Sequence, residues 1–151
     1  MDEEIIEQQP TYKKYLTFAV GDDDYGLEID CVTEIIKMQN ITDMPELPDY
    51  MKGIINLRGK IIPVMDVRVR FKKEERAYDE RTCIIVVEID GTGIGLIVDT
   101  VRETLDIEDE DIAVPAEGKR GSDNKYIKGV GKTEPGIKLL IDLERVVADQ
   151  C

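Results

Sequence analysis

Apolar residues along the chain recur at every second position or in short β-branched runs, and turn-forming residues punctuate them, which predicts short strands. Leu16-Thr17-Phe18-Ala19-Val20, then Asp22-Asp23-Asp24, then Tyr25 to Ile29 reads as a hairpin. Cys83 to Ile89 and Ile94 to Val98 read as a second, turning at Asp90-Gly91, a dipeptide that accepts the positive φ such turns need. Met51 to Leu57 and Ile61 to Met65 form a third around Arg58-Gly59-Lys60. Pro63 has no N–H to give to a ladder, so its strand is expected at an edge or bulged there. Short helices are predicted over Asp30 to Ile36, with Asp30 as N-cap, and over 143–150 after the cap Asp142.

The pattern repeats. Tyr25 to Glu34 aligns without gaps on Ile94 to Glu103, an offset of 69 set by Gly26 and Gly95. Tyr50-Met51-Lys52-Gly53-Ile54 aligns on Tyr126-Ile127-Lys128-Gly129-Val130, and the same register places Met65-Asp66-Val67 on Ile141-Asp142-Leu143, an offset of 76 set by Gly53 and Gly129. The extra residues of the second unit fall in Pro115 to Lys125, a stretch of Pro, Gly, Ser and Asn that reads as a loop. One duplicated unit accounts for this, and internal self-similarity decides architecture before single motifs do. The expected division is 12–71 and 82–142, each a small barrel that hides its strand edges by curling, with the Lys72 to Arg81 stretch between them.

Composition narrows the function. With 42% hydrophobic and 35% charged residues in 151, the chain is an ordinary globular domain. A net charge of −13 opposes nucleic acid and anionic lipid, both of which attract clustered cations. Lys119-Arg120 with Lys125 and Lys128 is the nearest basic stretch, and its Gly and Ser neighbours make it a solvated loop. An aromatic content of 5% gives a base-stacking face little to work with. The first ten residues lack the features of a secretory signal, and no apolar run reaches the roughly 20 residues that span a bilayer. Cys31, Cys83 and Cys151 have no metal-ligand spacing and suit a reducing compartment.

Candidate chemistry is sparse. There is no histidine, the commonest general base and transition-metal ligand, and hence no imidazole to activate Cys31 or Cys83. Gly91-Thr92-Gly93-Ile94-Gly95 lacks the spacing of a phosphate loop and opens a strand. Asp22-Asp23-Asp24 and Glu108-Asp109-Glu110-Asp111 lack the alternation and glycine of a calcium loop. No cofactor, metal or catalytic residue is therefore assigned; a small carboxylate-dependent hydrolase is the alternative from a different class. Asp30 with Asp99, and Glu34 with Glu103, recur in both units, which favours structural roles such as capping. The break in the repeat is more telling: Asn56-Leu57-Arg58-Gly59 faces Lys132-Thr133-Glu134-Pro135, so Arg58 has no counterpart. Arginine is enriched at interfaces because its planar fork pairs carboxylates, and a turn-capping surface arginine is the other reading.

Gly53 to Arg68, Gly-Ile-Ile-Asn-Leu-Arg-Gly-Lys-Ile-Ile-Pro-Val-Met-Asp-Val-Arg, resembles the signature stretch of the CheW-like family of chemotaxis coupling proteins, and Phe18 to Ile35 and Gly95 to Val101 fit as well. The resemblance implies a mostly β fold of two pseudo-repeated SH3-like five-stranded barrels with short helices. It implies a non-catalytic cytoplasmic adaptor, without membrane insertion, that joins the cytoplasmic tips of transmembrane chemoreceptors to the regulatory domain of the histidine kinase CheA in arrays beneath the inner membrane. A module of a longer CheV-type coupler or of a kinase would share these features. Carried over by position, Glu34 and Arg58 resemble the family's salt-bridged pair. Leu16, Ile29, Val32, Ile35, Val98 and Val101 fall in its receptor groove, with plain core as the competing reading. Met44, Pro45, Leu47, Gly53 and Gly59 are the kinase-facing candidates.

Overall fold

The structure, a computed structural model, describes residues 11–114, 125–134 and 136–148. Strands β1 (Tyr12–Val20) and β2 (Asp23–Glu28) form the first hairpin, and a 3-10 turn at Ile29–Cys31 leads into β3 (Val32–Lys37). Strands β4 (Met51–Leu57) and β5 (Lys60–Asp66) follow, then the one-turn helix α1 (Val67–Arg70). The second unit repeats this order with β6 (Cys83–Ile89), β7 (Thr92–Val98), β8 (Thr100–Glu108), β9 (Ile112–Ala113), β10 (Ile127–Lys132), β11 (Ile137–Ile141) and α2 (Leu143–Val147).

The sheets do not follow the repeat boundary. One runs β8-β1-β2-β11-β10-β9 and the other β3-β6-β7-β5-β4, so each unit lends its first hairpin to the other's strands. The division at 12–71 and 82–142 therefore separates the repeats in sequence without separating the sheets. Two parallel pairings seal the exchange: Val64 opposite Gly95 in one sheet and Leu140 opposite Gly26 in the other, the same pair under the two offsets. Even the ladder irregularities recur, between Met51 and Gly53 and between Ile127 and Gly129. The six-stranded sheet has one strand more than expected, the two-residue β9, whose counterpart across the repeat is the isolated bridge from Thr42 to Ile54.

Exchange explains why β1 and β6 are apolar on both faces. Leu16, Phe18, Ile85 and Val87 point into a core between the sheets, together with Leu27, Met65, Leu96 and Val98. Ile84 and Val86 pack inside the five-stranded sheet with Ile55, Ile62, Val64 and Ile97, while Tyr15 packs inside the six-stranded sheet with Ile107 and Leu140. A continuous ladder Phe18, Tyr25, Phe71, Tyr126, with ring centroids 5.2–5.6 Å apart, runs along the shared core. Arg70 sits between the repeat-equivalent Tyr50 and Tyr126, 4.2 and 5.0 Å from their ring centroids, and donates to the carbonyls of Val146 and Ala148 at the end of α2.

Three local expectations are corrected. No helix spans Asp30 to Ile36; after the 3-10 turn, β-branched Val32, Thr33, Ile35 and Ile36 take the extended backbone that suits their restricted χ1 and pair with β6. Asp30 caps nothing there, since the 3-10 turn has no side-chain cap. Pro63 lies in a strand between two neighbours, but the parallel ladder to β7 begins only at Val64 and the irregularity in β4 lies next to it. The caps that do form are Asp142 on α2 and its equivalent Asp66 on α1, which accepts from the backbone N–H of Arg68 and Val69. Helix α2 ends at Val147, short of the expected 150, and residues 149–151 lie outside the described residues.

Candidate functional site

At one end of the five-stranded sheet the β4–β5 turn holds Arg58 and Gly59 at φ 54° and 86°. Two successive positive φ values are the geometry of a tight type I′ hairpin, which favours Asn-Gly or Asp-Gly; the β6–β7 turn at Asp90-Gly91 follows that preference, with φ 52° and 80°. Arg58 is a costly residue for this position, because its Cβ crowds the backbone in the left-handed region. Asn56 steadies the turn by accepting from the Gly59 N–H at 2.9 Å.

The Arg58 side chain reaches across to β3. Its Nη1 and Nη2 donate to the two carboxylate oxygens of Glu34 at 2.9 and 2.6 Å, a bidentate fork. These hydrogen bonds hold the Glu34 carboxyl below its ordinary value and raise the guanidinium in turn. Because β3 and β4 are the two outer strands of this sheet, the pair joins its opposite edges, which requires the sheet to curl. Both partners remain in contact with solvent, so the pair contributes little to stability and leaves a charged feature on display.

Beside the pair lies a groove of about 660 Å³ whose lining includes Thr33, Glu34, Arg58, Ile61, Ile62 and Gly93. Ile62 is buried in its floor and Ile61, 59% exposed, stands at its rim. The same positions of the other sheet are occupied differently. Thr33, Ile62 and Gly93 correspond to Arg102, Lys138 and Asp24, and there Asp24 pairs with Lys138 at 3.4 Å and Arg102 at 3.2 Å. Glu34 and Arg58 correspond to Glu103 and Glu134, like charges that form no pair.

The other sequence candidates are scattered. Leu16 and Val98 are 3% and 1% exposed within the between-sheet core and present no surface to a partner. Ile29, Val32 and Val101 are half-buried against that core, and Ile35 is exposed. Met44, Pro45 and Leu47 are exposed on the loop that enters β4, whereas Gly59 lies beyond that strand's far end, about 20 Å away at strand rise. Gly53 is buried at φ 142°, where a Cβ would stand 2.1 Å from the Thr42 carbonyl oxygen, so it shapes the backbone and makes no outward contact. Thr33, Ile62 and Gly93 were absent from the sequence candidates; laying the two repeats over one another at exactly those positions is the signal that finds them.

The CheW-like domain family matches residues 14–151. The chain belongs to that family. This CheW-like domain is 32% identical over 138 residues to the chemotaxis protein CheW of Klebsiella aerogenes, covering 91% of this chain and 83% of that protein. It is 29% identical over 137 residues to CheW of Bacillus subtilis, covering 91% and 88%. Among solved structures it resembles the scaffolding protein TtCheW of Thermoanaerobacter tengcongensis, with a TM-score of 0.85, 38% identity and coverage of 92% and 94%. Membership makes the domain a chemotaxis scaffold and not an enzyme, and sets the carboxylate-hydrolase reading aside. The SH3-like, mostly β fold expected from sequence agrees with that neighbour. No helix among the described residues is long and apolar enough to cross a membrane.

Proposed function

We propose that this CheW-like domain couples chemoreceptors to the kinase CheA, as a cytoplasmic adaptor within arrays beneath the inner membrane. The observation that carries the reading is the family match across residues 14–151, joined to a bidentate Glu34–Arg58 pair that the second repeat lacks. Receptor tips are assigned to the half-buried edge of Ile29, Val32 and Val101 with the exposed Ile35 beside it. The CheA regulatory domain is assigned to the open end around Arg58, with Gly59 setting its turn, and to the apolar loop Met44, Pro45 and Leu47, whose backbone anchor is Gly53. Contacts of micromolar strength, about −8 kcal/mol each, become firm when several engage at once.

The test is capture of this protein by a CheA regulatory domain and by a receptor cytoplasmic tip, with Arg58→Glu as the diagnostic variant. Circular dichroism should show an intact fold, since the side chain is exposed, while capture by at least one partner falls more than tenfold. Unchanged capture by both partners would remove Arg58 from the interface; no capture of the unaltered protein by either would overturn the coupling role.

A further inference from the structure

The repeat creates two equivalent junctions where a hairpin of one unit meets the helix of the other, and their polar groups differ. At the first, Arg68 donates to Asp99 at 2.5 Å and 3.3 Å, Gly21 N–H donates to the same carboxylate at 2.8 Å, and Arg76 stands 3.6 Å away. The inter-repeat stretch that supplies Arg76 also places the Tyr78 hydroxyl 2.7 Å from Asp66, and Arg68 donates to the Glu74 carbonyl. This stretch is a strap, fastened over the junction by the carboxylates Asp99 and Asp66.

At the second junction the repeat places Asp30 where Asp99 stands, Asp142 where Asp66 stands, and Glu144 where Arg68 stands. The helix ends are equivalent, since the Asp142 N–H donates to the Tyr126 carbonyl at 2.8 Å as the Asp66 N–H donates to Tyr50 at 2.7 Å, whereas on the hairpin side Asp30 lies in the 3-10 turn Ile29–Cys31 and Asp99 lies between β7 and β8. An ion pair has thus become two carboxylates. Asp30 and Glu144 are both exposed and neither has an ion-pair partner among the described residues, while the nearby Lys128 is engaged by Glu28. Both carboxylates act on Cys31, whose thiol is pushed up by burial and then by Glu28, drawn back by Lys128, and pushed up further by Asp30 and Glu144. Ile29, Cys31 and Val32 are half-buried, and a recess of about 210 Å³ has Leu27, Cys31, Ile141 and Leu143 as its apolar lining and Glu28, Asp142 and Glu144, with the Glu28-paired Lys128, as its charged lining.

We propose that this second junction is a docking surface for a basic partner segment, which supplies an arginine or lysine to Asp30 and Glu144 and covers Ile29, Cys31 and Val32 with apolar side chains. The chain's own strap shows the mode at the equivalent junction: a cation reaches the hairpin carboxylate and a hydroxyl reaches the helix-capping one. The inference rests on the assignment of Ile29 and Val32 to the receptor face, and adds the charge of what docks there.

Glu144→Arg tests it by restoring an internal partner for Asp30. In the full chain this substitution is expected to raise the melting temperature while lowering capture by a receptor cytoplasmic tip at least fivefold, and Glu144→Gln to lower capture about threefold and flatten its dependence on sodium chloride. Val32→Asp serves as the control for the apolar contacts, with Val32→Thr in its place if the aspartate variant does not fold. If the Val32 variant loses capture and Glu144→Arg does not, the basic partner is refuted and the receptor face stands. If neither loses capture, the receptor face itself is refuted. A melting temperature that does not rise in Glu144→Arg refutes the equivalence of the two junctions.

Discussion

The two sheets share a backbone and differ in what fills one end. In the six-stranded sheet Arg102, Asp24 and Lys138 occupy that end as an ion triad, with Lys138 only 4% exposed. In the five-stranded sheet Thr33, Gly93 and Ile62 leave a groove, and the strained Arg58 stands over it. Duplication supplies two copies of a scaffold, and divergence at a few side chains decides which copy is closed and which is open. A closed end is the cheaper solution for stability. An open one, with an arginine in a backbone conformation it disfavours, fits the contact role proposed for Arg58.

The largest expected effect is at the strapped junction. Arg68→Ala leaves the largely buried Asp99 with only the more distant Arg76 and the Gly21 N–H, and should cost about 3 kcal/mol in urea unfolding, because an under-compensated buried charge costs more than a lost contact. The pH dependence follows. Burial pushes the Asp99 carboxyl up, but hydrogen bonds from Arg68 and the Gly21 N–H outweigh it and hold the carboxyl below its ordinary value. The folded state therefore binds this proton less readily than the unfolded chain, so the contribution is complete above the ordinary carboxylate range, declines as pH enters that range and is lost as pH falls through the lower folded value. Stability of the unaltered protein should drop below about pH 4, and Arg68→Ala should weaken that drop. An unchanged acid profile would show that the junction is not held by this pair.

Much of this architecture is legible in the sequence and the reasons for the exceptions are physical. The three hairpins, the duplication and the cap Asp142 follow from local pattern, since alternation and turn residues act over a few positions. Strand β3 does not, because Asp30 before a β-branched run offers a cap signal that the ladder to β6 overrides. Strand exchange is likewise invisible: the register of β5 against β7 is set by long-range packing, and a repeat reads the same whether its hairpins stay or swap. Glu34 and Arg58 form an ion pair across the sheet, whereas Leu16 and Val98 lie in the core between the sheets. Sequence marks a residue as apolar without saying which of two cores it enters.

A smaller effect separates the filled end from the open one. Asp24→Asn removes the anion between Lys138 and Arg102, leaving a buried ammonium unpaired, and should cost about 2 kcal/mol in the same unfolding measurement. Partner capture should not change, because this end is closed by the chain's own charges. If capture by CheA falls while stability holds, the triad is itself an interface and the two ends differ less in task than in charge.

The smallest and sharpest test lies at the equivalent residue of the open end. Gly93 has no left-handed φ, and a Cβ there would meet the Val87 carbonyl oxygen at 3.9 Å and Ile62 Cδ1 at 4.0 Å, ordinary contacts. Gly93→Ala is thus tolerated by the strand and should stabilise the fold by about 0.5 kcal/mol, since alanine surrenders less backbone entropy than glycine. The added methyl narrows the groove beneath Arg58. If a partner side chain enters there, capture by the CheA regulatory domain falls two- to fivefold while the melting temperature rises, a divergence that damage to the fold cannot mimic. If capture is untouched, the cavity is a by-product of losing the triad, and contact at this end is made by Arg58 and Ile61 at the rim alone.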